Sequence, residues 1–282
     1  MTQAIAGLRD VADRYDGFIV DLWGVMHDGV RAFPDAVATL RQLRARGARI
    51  VMLSNAPRRS ALAAERSAAI GVTTDLYDTM ITSGEDCWLG LRASPPGPRA
   101  VFIQAGRDGN YIDGLDIEAV VDPALADFLL VLGVEHDVQD LSSFEARLQV
   151  ARARDLVMLC ANPDLVVIHG GTLELCAGSV AQRYEAIGGR VQYHGKPHQA
   201  VYARAFDALG VEKSRILAIG DSLRTDVAGA RAAGIDSAFV ADGIHLEELI
   251  GVLGTDPSSA NIAKRLSAGD PAPDWVMRRF NW

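Results

Sequence analysis

Short apolar runs alternate with longer amphipathic segments along this chain. The runs lie at residues 18–20, 49–53, 216–219 and 237–240. Continuous apolar runs of this length are typical of strands that are buried on both faces of a parallel sheet. The segments 36–46 and 199–209 have helical spacing, and each is followed by a glycine that suits a left-handed helix end. The alternation predicts an α/β fold with a doubly wound parallel sheet of the Rossmann-like kind.

Each of these four runs ends at polar residues. Asp21 follows the first run, Ser54 and Asn55 close the second, Asp221 follows the third, and Asp242 follows the fourth. In open α/β sheets, ligands bind at the carboxyl ends of the strands. The sequence therefore predicts a ligand site assembled from residues that follow strands.

The stretch between the second and third runs has strand and helix patterns of its own. It contains prolines near its start and apolar runs at 100–103, 128–132 and 156–159. We interpret it as an inserted α/β domain placed over the site. The predicted organisation is an inserted cap at residues 83–190 and a discontinuous core at residues 1–82 and 191–282.

The composition limits the partners of the chain. Its 282 residues include 28 Lys and Arg against 36 Asp and Glu, a formal net charge of −8. This balance argues against a nucleic-acid partner, because binding a phosphate backbone needs a basic surplus or stripe. No apolar run approaches the roughly 20 residues that span a bilayer, so no membrane partner is predicted.

Two further features concern location and assembly. The three cysteines, Cys87, Cys160 and Cys176, are far apart and lack metal-site spacing. We interpret them as buried small residues in a protein of the reducing cytoplasm. The aromatic tail at residues 271–282 either packs on the body or docks on a partner subunit, which leaves a homo-oligomer open.

Asp21 is the first residue with a chemical role to consider. A carboxylate at a strand end can attack an electrophile, and attack on phosphorus forms an acyl phosphate. The alternative is a cap of the turn that follows the strand, a common use of aspartate. The motif alone leaves both interpretations open.

Asp221 and Asp226 form the second constellation, in the segment Gly-Asp-Ser-Leu-Arg-Thr-Asp that follows the third run. Mg²⁺ takes oxygen ligands and needs only one or two carboxylates, which Asp21 and Asp221 would supply from neighbouring strand ends. Asp226 could instead be a first-turn acid that complements a helix dipole. The spacing favours a metal site.

Ser54, Asn55 and Lys196 are candidate phosphate ligands. A hydroxyl and an amide at a strand end can donate hydrogen bonds to phosphate oxygens, although they can equally cap the next helix. Lys196 precedes a predicted helix and offers a point charge to a phosphate, although most lysines are simply solvated.

The chain carries four motifs, which in order contain Asp21, Ser54 with Asn55, Lys196, and Asp221 with Asp226. These motifs and their order resemble those of the haloacid dehalogenase (HAD) superfamily of hydrolases. The position of the insertion resembles subclass IIA, the NagD-like sugar and nucleotide phosphatases. Further similarity lies in the segments 160–164 and 175–179, and the resemblance covers nearly the whole chain.

The resemblance implies a role for each matched position. Asp21 would be the phosphoryl-accepting nucleophile, and Asp21, Asp221 and the backbone carbonyl of Trp23 would hold Mg²⁺. Asp226 would support the metal site without binding the ion directly. The phosphoryl oxygens would be bound by Ser54 and Asn55, and Lys196 would offset negative charge on Asp21 and substrate. The implied activity is hydrolysis of a small phosphorylated metabolite through an aspartyl-phosphate.

Trp23 is a departure from the family pattern, which has an aspartate two positions after the nucleophile to protonate the leaving oxygen. An indole cannot replace that acid, although the backbone carbonyl at this position can still ligate metal. His27 is a candidate replacement from the following loop, and a substrate with a good leaving group would need little protonation. The alternative is a weakly active or inactive protein that binds a phosphorylated ligand. In the insertion, Asn162 and Asp164 are candidate substrate contacts or members of an Asx-Pro turn.

Overall fold

The computed structural model describes residues 2–103, 111–134, 140–169, 172–243, 258–267 and 271–282. The chain divides into two compact units. The first comprises residues 1–54, 64–81 and 199–282, and the second comprises 55–63 and 82–198. The cap boundaries at 83 and 190 stay a prediction.

The first unit is built on a seven-stranded sheet. Its strands are β1 (Gln3–Ala4), β2 (Gly17–Val20), β3 (Arg49–Ser54), β4 (Thr79–Thr82), β12 (Ile216–Gly220), β13 (Asp236–Val240) and β14 (Trp275–Met277), in the spatial order β1-β14-β13-β12-β2-β3-β4. The β1–β14, β14–β13, β13–β12, β12–β2 and β2–β3 pairs are parallel. β2 and β12 are buried along their whole length, as their unbroken apolar sequences predict.

The second unit contains seven strands, which are β5 (Arg99–Ile103), β6 (Glu118–Val120), β7 (Phe128–Val131), β8 (Val157–Cys160), β9 (Val166–His169), β10 (Thr172–Leu175) and β11 (Arg190–Tyr193). Five of them form a parallel sheet in the order β11-β8-β7-β5-β6, and β9 and β10 form an antiparallel pair. Three of them match the apolar runs from which the insertion was predicted.

The described residues contain eight α-helices. They are α1 (Pro34–Ala45), α2 (Ser60–Ala69), α3 (Ser83–Ala93), α4 (Ser142–Ala153), α5 (Ala177–Ala186), α6 (Gln199–Leu209), α7 (Ala228–Ala233) and α8 (Ser259–Leu266). In the first unit, α6 and α7 pack on the sheet through apolar side chains that include Tyr202, Ala205 and Ala230. Within the described ranges, no helix is both long and apolar enough to cross a membrane.

The order of the strands determines where a ligand site can form. Within the sheet, β3 lies on one side of β2 and β12 lies on the other side of β2. Val20 pairs with Ile219 in the β2–β12 register, so the residues after these strands lie side by side. The carboxyl ends of β2 and β12 therefore form the topological switch point, where open α/β sheets bind ligands.

The aromatic tail packs within the first unit. Trp275 is buried in β14, and its indole N–H donates a hydrogen bond to the Tyr15 hydroxyl at 2.8 Å. This contact accounts for Trp275 without a partner subunit. The prediction of a homo-oligomer stays a prediction.

Candidate active site

Three buried carboxylates meet at the switch point of the first unit. Asp21 follows β2, Asp221 follows β12, and Asp226 lies in a π-helical turn at Leu223–Val227. One carboxylate oxygen of each lies within 4.8 Å of the others. We call these three residues the acidic cluster. Because hard divalent cations prefer carboxylate oxygens, the cluster has the donor set of a cation site.

Close backbone packing fixes the acidic cluster. The main-chain N–H of Asp21 donates to the carbonyl of Ile219 at 2.9 Å, which ties the end of β2 to β12. Gly24 has a φ of +76°, and a Cβ on it would lie 2.1 Å from Oδ2 of Asp221. A Cβ on Gly243 would lie 2.2 Å from the same oxygen. Side chains at these two positions would displace the Asp221 carboxylate.

Asp226 is held by the turn in which it lies. Its Oδ2 accepts a hydrogen bond from the N–H of Ser222 at 3.2 Å, and its own N–H donates to the Ser222 carbonyl at 3.0 Å. The Ser222 hydroxyl also caps the turn by accepting from the N–H of Thr225 at 3.3 Å. π-Helical turns are frequent at functional sites. The turn directs the Asp226 carboxylate into the acidic cluster.

Trp23 is packed within the loop that follows Asp21. Its half-buried indole meets the His27 ring edge-on, with ring centroids 5.3 Å apart. On another side it lies against Gly29, where a Cβ would come within 2.4 Å of the indole. The loop closes through the N–H of Gly24, which donates to the His27 carbonyl at 2.9 Å. Trp23 therefore has a defined position rather than a solvated one.

The surroundings of His27 bear on its predicted acid–base role. Its Nδ1 accepts a hydrogen bond from the N–H of Gly29 at 3.1 Å, and burial lowers its pKa to about 4. At neutral pH the ring is therefore uncharged and has no imidazolium proton to give. The acid–base role stays a prediction, and these surroundings favour a part in holding the loop.

The second unit brings together four of the other predicted site residues, Asn55, Asn162, Asp164 and Lys196. The Asn55 side chain bonds to the Asp164 carboxylate and to the main chain of Lys196. Asn162 Oδ1 accepts from the N–H of Asp164 at 3.0 Å, which is the Asx turn that the sequence left open. Ser54, at the end of β3 in the first unit, is buried. Their roles toward substrate stay predictions.

A buried hydrogen-bonded pair next to Lys196, His194 with Asp86, was missed from the sequence. His194 Nδ1 lies 2.8 Å from Asp86 Oδ2, and both residues are buried. Asp86 belongs to α3 and is 108 residues away along the chain. Its position inside a helix gave no signal beyond that of an ordinary helical acid.

Comparison with known proteins identifies the family. A haloacid dehalogenase-like hydrolase model matches residues 18–118, and a HAD-hydrolase-like model matches 193–268. A haloacid dehalogenase-like hydrolase from Brucella suis 1330 has 32% identity and a TM-score of 0.84, with coverage of 98% of this chain and 99% of that one. The chain belongs to the haloacid dehalogenase-like hydrolase family. The predicted family, α/β fold and class of phosphoric monoester hydrolase are confirmed.

Two other relatives are informative. The ribonucleotide monophosphatase NagD of Escherichia coli K12 is 27% identical over 231 residues, which cover 80% of this chain and 87% of NagD. A glycerol phosphate phosphatase from Mycobacterium tuberculosis, solved in complex with magnesium, has a TM-score of 0.71 at 22% identity. That match covers 95% of this chain and 77% of the other, and it speaks for the fold alone.

Proposed function

We propose that this HAD hydrolase is a Mg²⁺-dependent phosphatase of a small phosphorylated metabolite, either a sugar phosphate or a nucleotide. The acidic cluster carries the proposal, because it joins a nucleophile and a cation site at one switch point. NagD is named as a ribonucleotide monophosphatase, and a relative from Mycobacterium tuberculosis that is 25% identical over 279 residues is named as a D-glycerol 3-phosphate phosphatase, which supports this range of substrates.

The residues of the cluster fit a magnesium ion. Asp21, Asp221 and the backbone carbonyl of Trp23 would hold it, with Asp226 in support. Three carboxylate oxygens within 4.8 Å concentrate negative charge in a buried place, which a divalent cation offsets. When bound, the ion neutralises charge on the phosphoryl oxygens and on Asp21.

Asp21 performs the first chemical step of the proposed reaction. Its carboxylate oxygen attacks phosphorus, the bond from phosphorus to the ester oxygen breaks, and an aspartyl-phosphate forms. The leaving alkoxide takes a proton from solvent water and departs as an alcohol. Water then attacks the same phosphorus and the bond from phosphorus to the Asp21 oxygen breaks, which releases inorganic phosphate, returns a proton to solvent and restores the Asp21 carboxylate. Phosphoryl transfer is mostly positioning and charge stabilisation, so few residues suffice.

The remaining roles rest on the resemblance to HAD phosphatases. Ser54 is proposed to donate its hydroxyl hydrogen to a phosphoryl oxygen, and Lys196 to offset charge on Asp21 and substrate. Asn162 and Asp164 are proposed to lie near the substrate. A cytoplasmic location stays part of this proposal.

Trp23 supports a second candidate function. General acid–base catalysis typically contributes about 10²–10⁴-fold, and the residue at the usual acid position is a packed indole. A protein without that acid would bind a phosphorylated ligand and turn it over slowly or not at all. Substrates with good leaving groups, such as acyl phosphates, would be the exception.

Steady-state phosphate release separates the two functions. The panel contains sugar phosphates, nucleoside monophosphates and acyl phosphates, each with Mg²⁺ and with a chelator. We expect Mg²⁺-dependent release from at least one class of ester. Tight binding of a phosphate ester without turnover of any class would instead establish the binding function.

A further inference from the structure

The side-chain amide of Asn55 is fully engaged inside the second unit. Its Nδ2 donates to Oδ1 of Asp164 at 2.9 Å and to the main-chain carbonyl of Lys196 at 3.1 Å. Its Oδ1 accepts from the main-chain N–H of Lys196 at 2.8 Å. The residue is buried, with 5% of its surface exposed. We call Asn55, Asp164 and Lys196 together the Asn55 bracket.

The orientation of the amide follows from its partners. The N–H of Lys196 requires an acceptor and the carbonyl of Lys196 requires a donor, so the oxygen and nitrogen of Asn55 are assigned without ambiguity. A primary amide has two N–H donors, and both are used here. No donor on the Asn55 side chain remains for a phosphoryl oxygen.

We propose that Asn55 is a positioning residue that fixes Lys196 and Asp164, and that its side chain does not bind the phosphoryl group. The inference deepens the proposed function and rests on it for the role of Lys196. It replaces the phosphate-binding role that the family resemblance implied for Asn55.

The neighbouring contacts fit a segment whose position matters. His194, two positions before Lys196, is anchored by the Asp86 carboxylate, which lies 2.8 Å from its Nδ1. A Cβ on Gly195 would lie 2.5 Å from Oδ1 of Asn55, so the main chain passes directly against the amide. The segment 194–196 is thus held at His194 by the Asp86 side chain and at Lys196 by the Asn55 side chain.

Asp164 is the other residue that the bracket positions. Its main-chain N–H is tied to Asn162 and its carboxylate to Asn55, at 3.0 Å and 2.9 Å. Removing the Asn55 amide removes one constraint on the position of Lys196 and one on that of Asp164. A misplacement of about 1 Å at a reacting centre can cost about 10²-fold in rate.

Reversal of the Asn55–Asp164 hydrogen bond tests the proposal. Asn55→Asp loses both N–H donors and places two carboxylates together, so kcat/KM for p-nitrophenyl phosphate should fall about 10²-fold. Adding Asp164→Asn supplies a new N–H to the carboxylate at 55, and we expect at least about tenfold recovery. The control for net charge adds Asp116→Asn, at an exposed carboxylate of the same unit, to Asn55→Asp, and this double variant should recover no kcat/KM.

The outcomes of the reversal are opposite for the two roles. A phosphate ligand changed to a carboxylate would repel the phosphoryl group whatever residue stands at 164. A double variant no more active than Asn55→Asp, or one matched by the Asp116→Asn control, would overturn the proposal.

Hydrogen exchange tests the bracket without catalysis. The Lys196 amide donates to Asn55, so its exchange in Asn55→Ala should be at least about tenfold faster than in the wild type. Unchanged protection of that amide would overturn the proposal. Absence of wild-type turnover on any phosphate ester would contradict the proposed function instead, and the exchange result would still decide the geometry.

Discussion

The acidic cluster and the Asn55 bracket hold their functional atoms by different physical means. The cluster collects three carboxylates, two after strand ends and one in a π-helical turn, and close backbone packing keeps them in place. The bracket uses one neutral amide, whose donors and acceptor are matched by Asp164 and Lys196. The first arrangement favours a cation from outside the chain, whereas the second is complete within it. Substitutions should therefore affect the two regions differently.

The largest expected effect comes from removing the nucleophile of the cluster. Asp21→Asn should lower turnover by roughly 10⁴-fold or more while the protein stays folded, because an amide cannot form the acyl phosphate. The measurement is steady-state phosphate release together with thermal unfolding. Asp207→Asn, at an exposed position of α6, is the matched control and should behave as the wild type. Activity near the wild-type level in Asp21→Asn would exclude this residue as the nucleophile.

Two glycines of equal backbone strain test the packing of the cluster. Gly24 has a φ of +76° and Gly47 a φ of +78°, but only a Cβ at Gly24 would meet Asp221. Both alanine variants should lose about 1 kcal/mol of stability from the left-handed backbone. Gly24→Ala should in addition lose about 10²-fold in kcat/KM. Urea unfolding and kinetics on both variants make the comparison, and equal kinetic losses would show that the close approach to Asp221 is unimportant.

Trp23 tests whether the cluster lacks a proton donor. Trp23→Asp should raise kcat on alkyl phosphates by about 10²-fold if protonation of the leaving group limits the rate. Activity on p-nitrophenyl phosphate should change less, because that leaving group needs little protonation. An unchanged or lower rate on alkyl phosphates in a folded variant would point to a different acid, with His27 the first to examine.

The smallest expected effect concerns the pH dependence of stability. The pKa of His27 is lowered to about 4 in the folded protein, whereas the unfolded chain has the ordinary value of 6.5. The unfolded state therefore binds a proton first as the pH falls, and stability is lost between about pH 6.5 and pH 4. From pH 7 to pH 5 the loss attributable to His27 should be about 2 kcal/mol. Urea unfolding of wild type and His27→Gln should differ by this pH-dependent amount, and parallel curves would contradict a buried neutral imidazole.

The two regions also differ in how far the sequence predicts them. The acidic cluster follows from strand ends, because β2 and β12 match their apolar runs and neighbouring parallel strands bring Asp21 and Asp221 together. The α6 helix matches residues 199–209 for a similar local reason. The bracket depends on contacts between residues 109 and 141 positions apart, which no local pattern encodes. The strand β14 is only three residues long and is likewise defined by long-range pairing.

The motif at Asn55 places an amide after a strand, but it does not specify the partners of that amide. The position after Ser54 was predicted to lie at a strand end with an amide available for phosphate. The amide forms hydrogen bonds with Lys196 and Asp164, and only the three-dimensional arrangement shows these contacts. Residue type and spacing predict where a polar group lies better than they predict its partner.

Chemical trapping at Asp21 tests the central claim most directly. The enzyme is mixed with Mg²⁺ and the best substrate of the panel, quenched during turnover and treated with borohydride, which reduces an acyl phosphate to an alcohol. Peptide mass spectrometry should then find homoserine in place of aspartate at position 21, and not at 221 or 226. Phosphate release during the same reaction with Asp21 recovered only as unmodified aspartate would contradict the account.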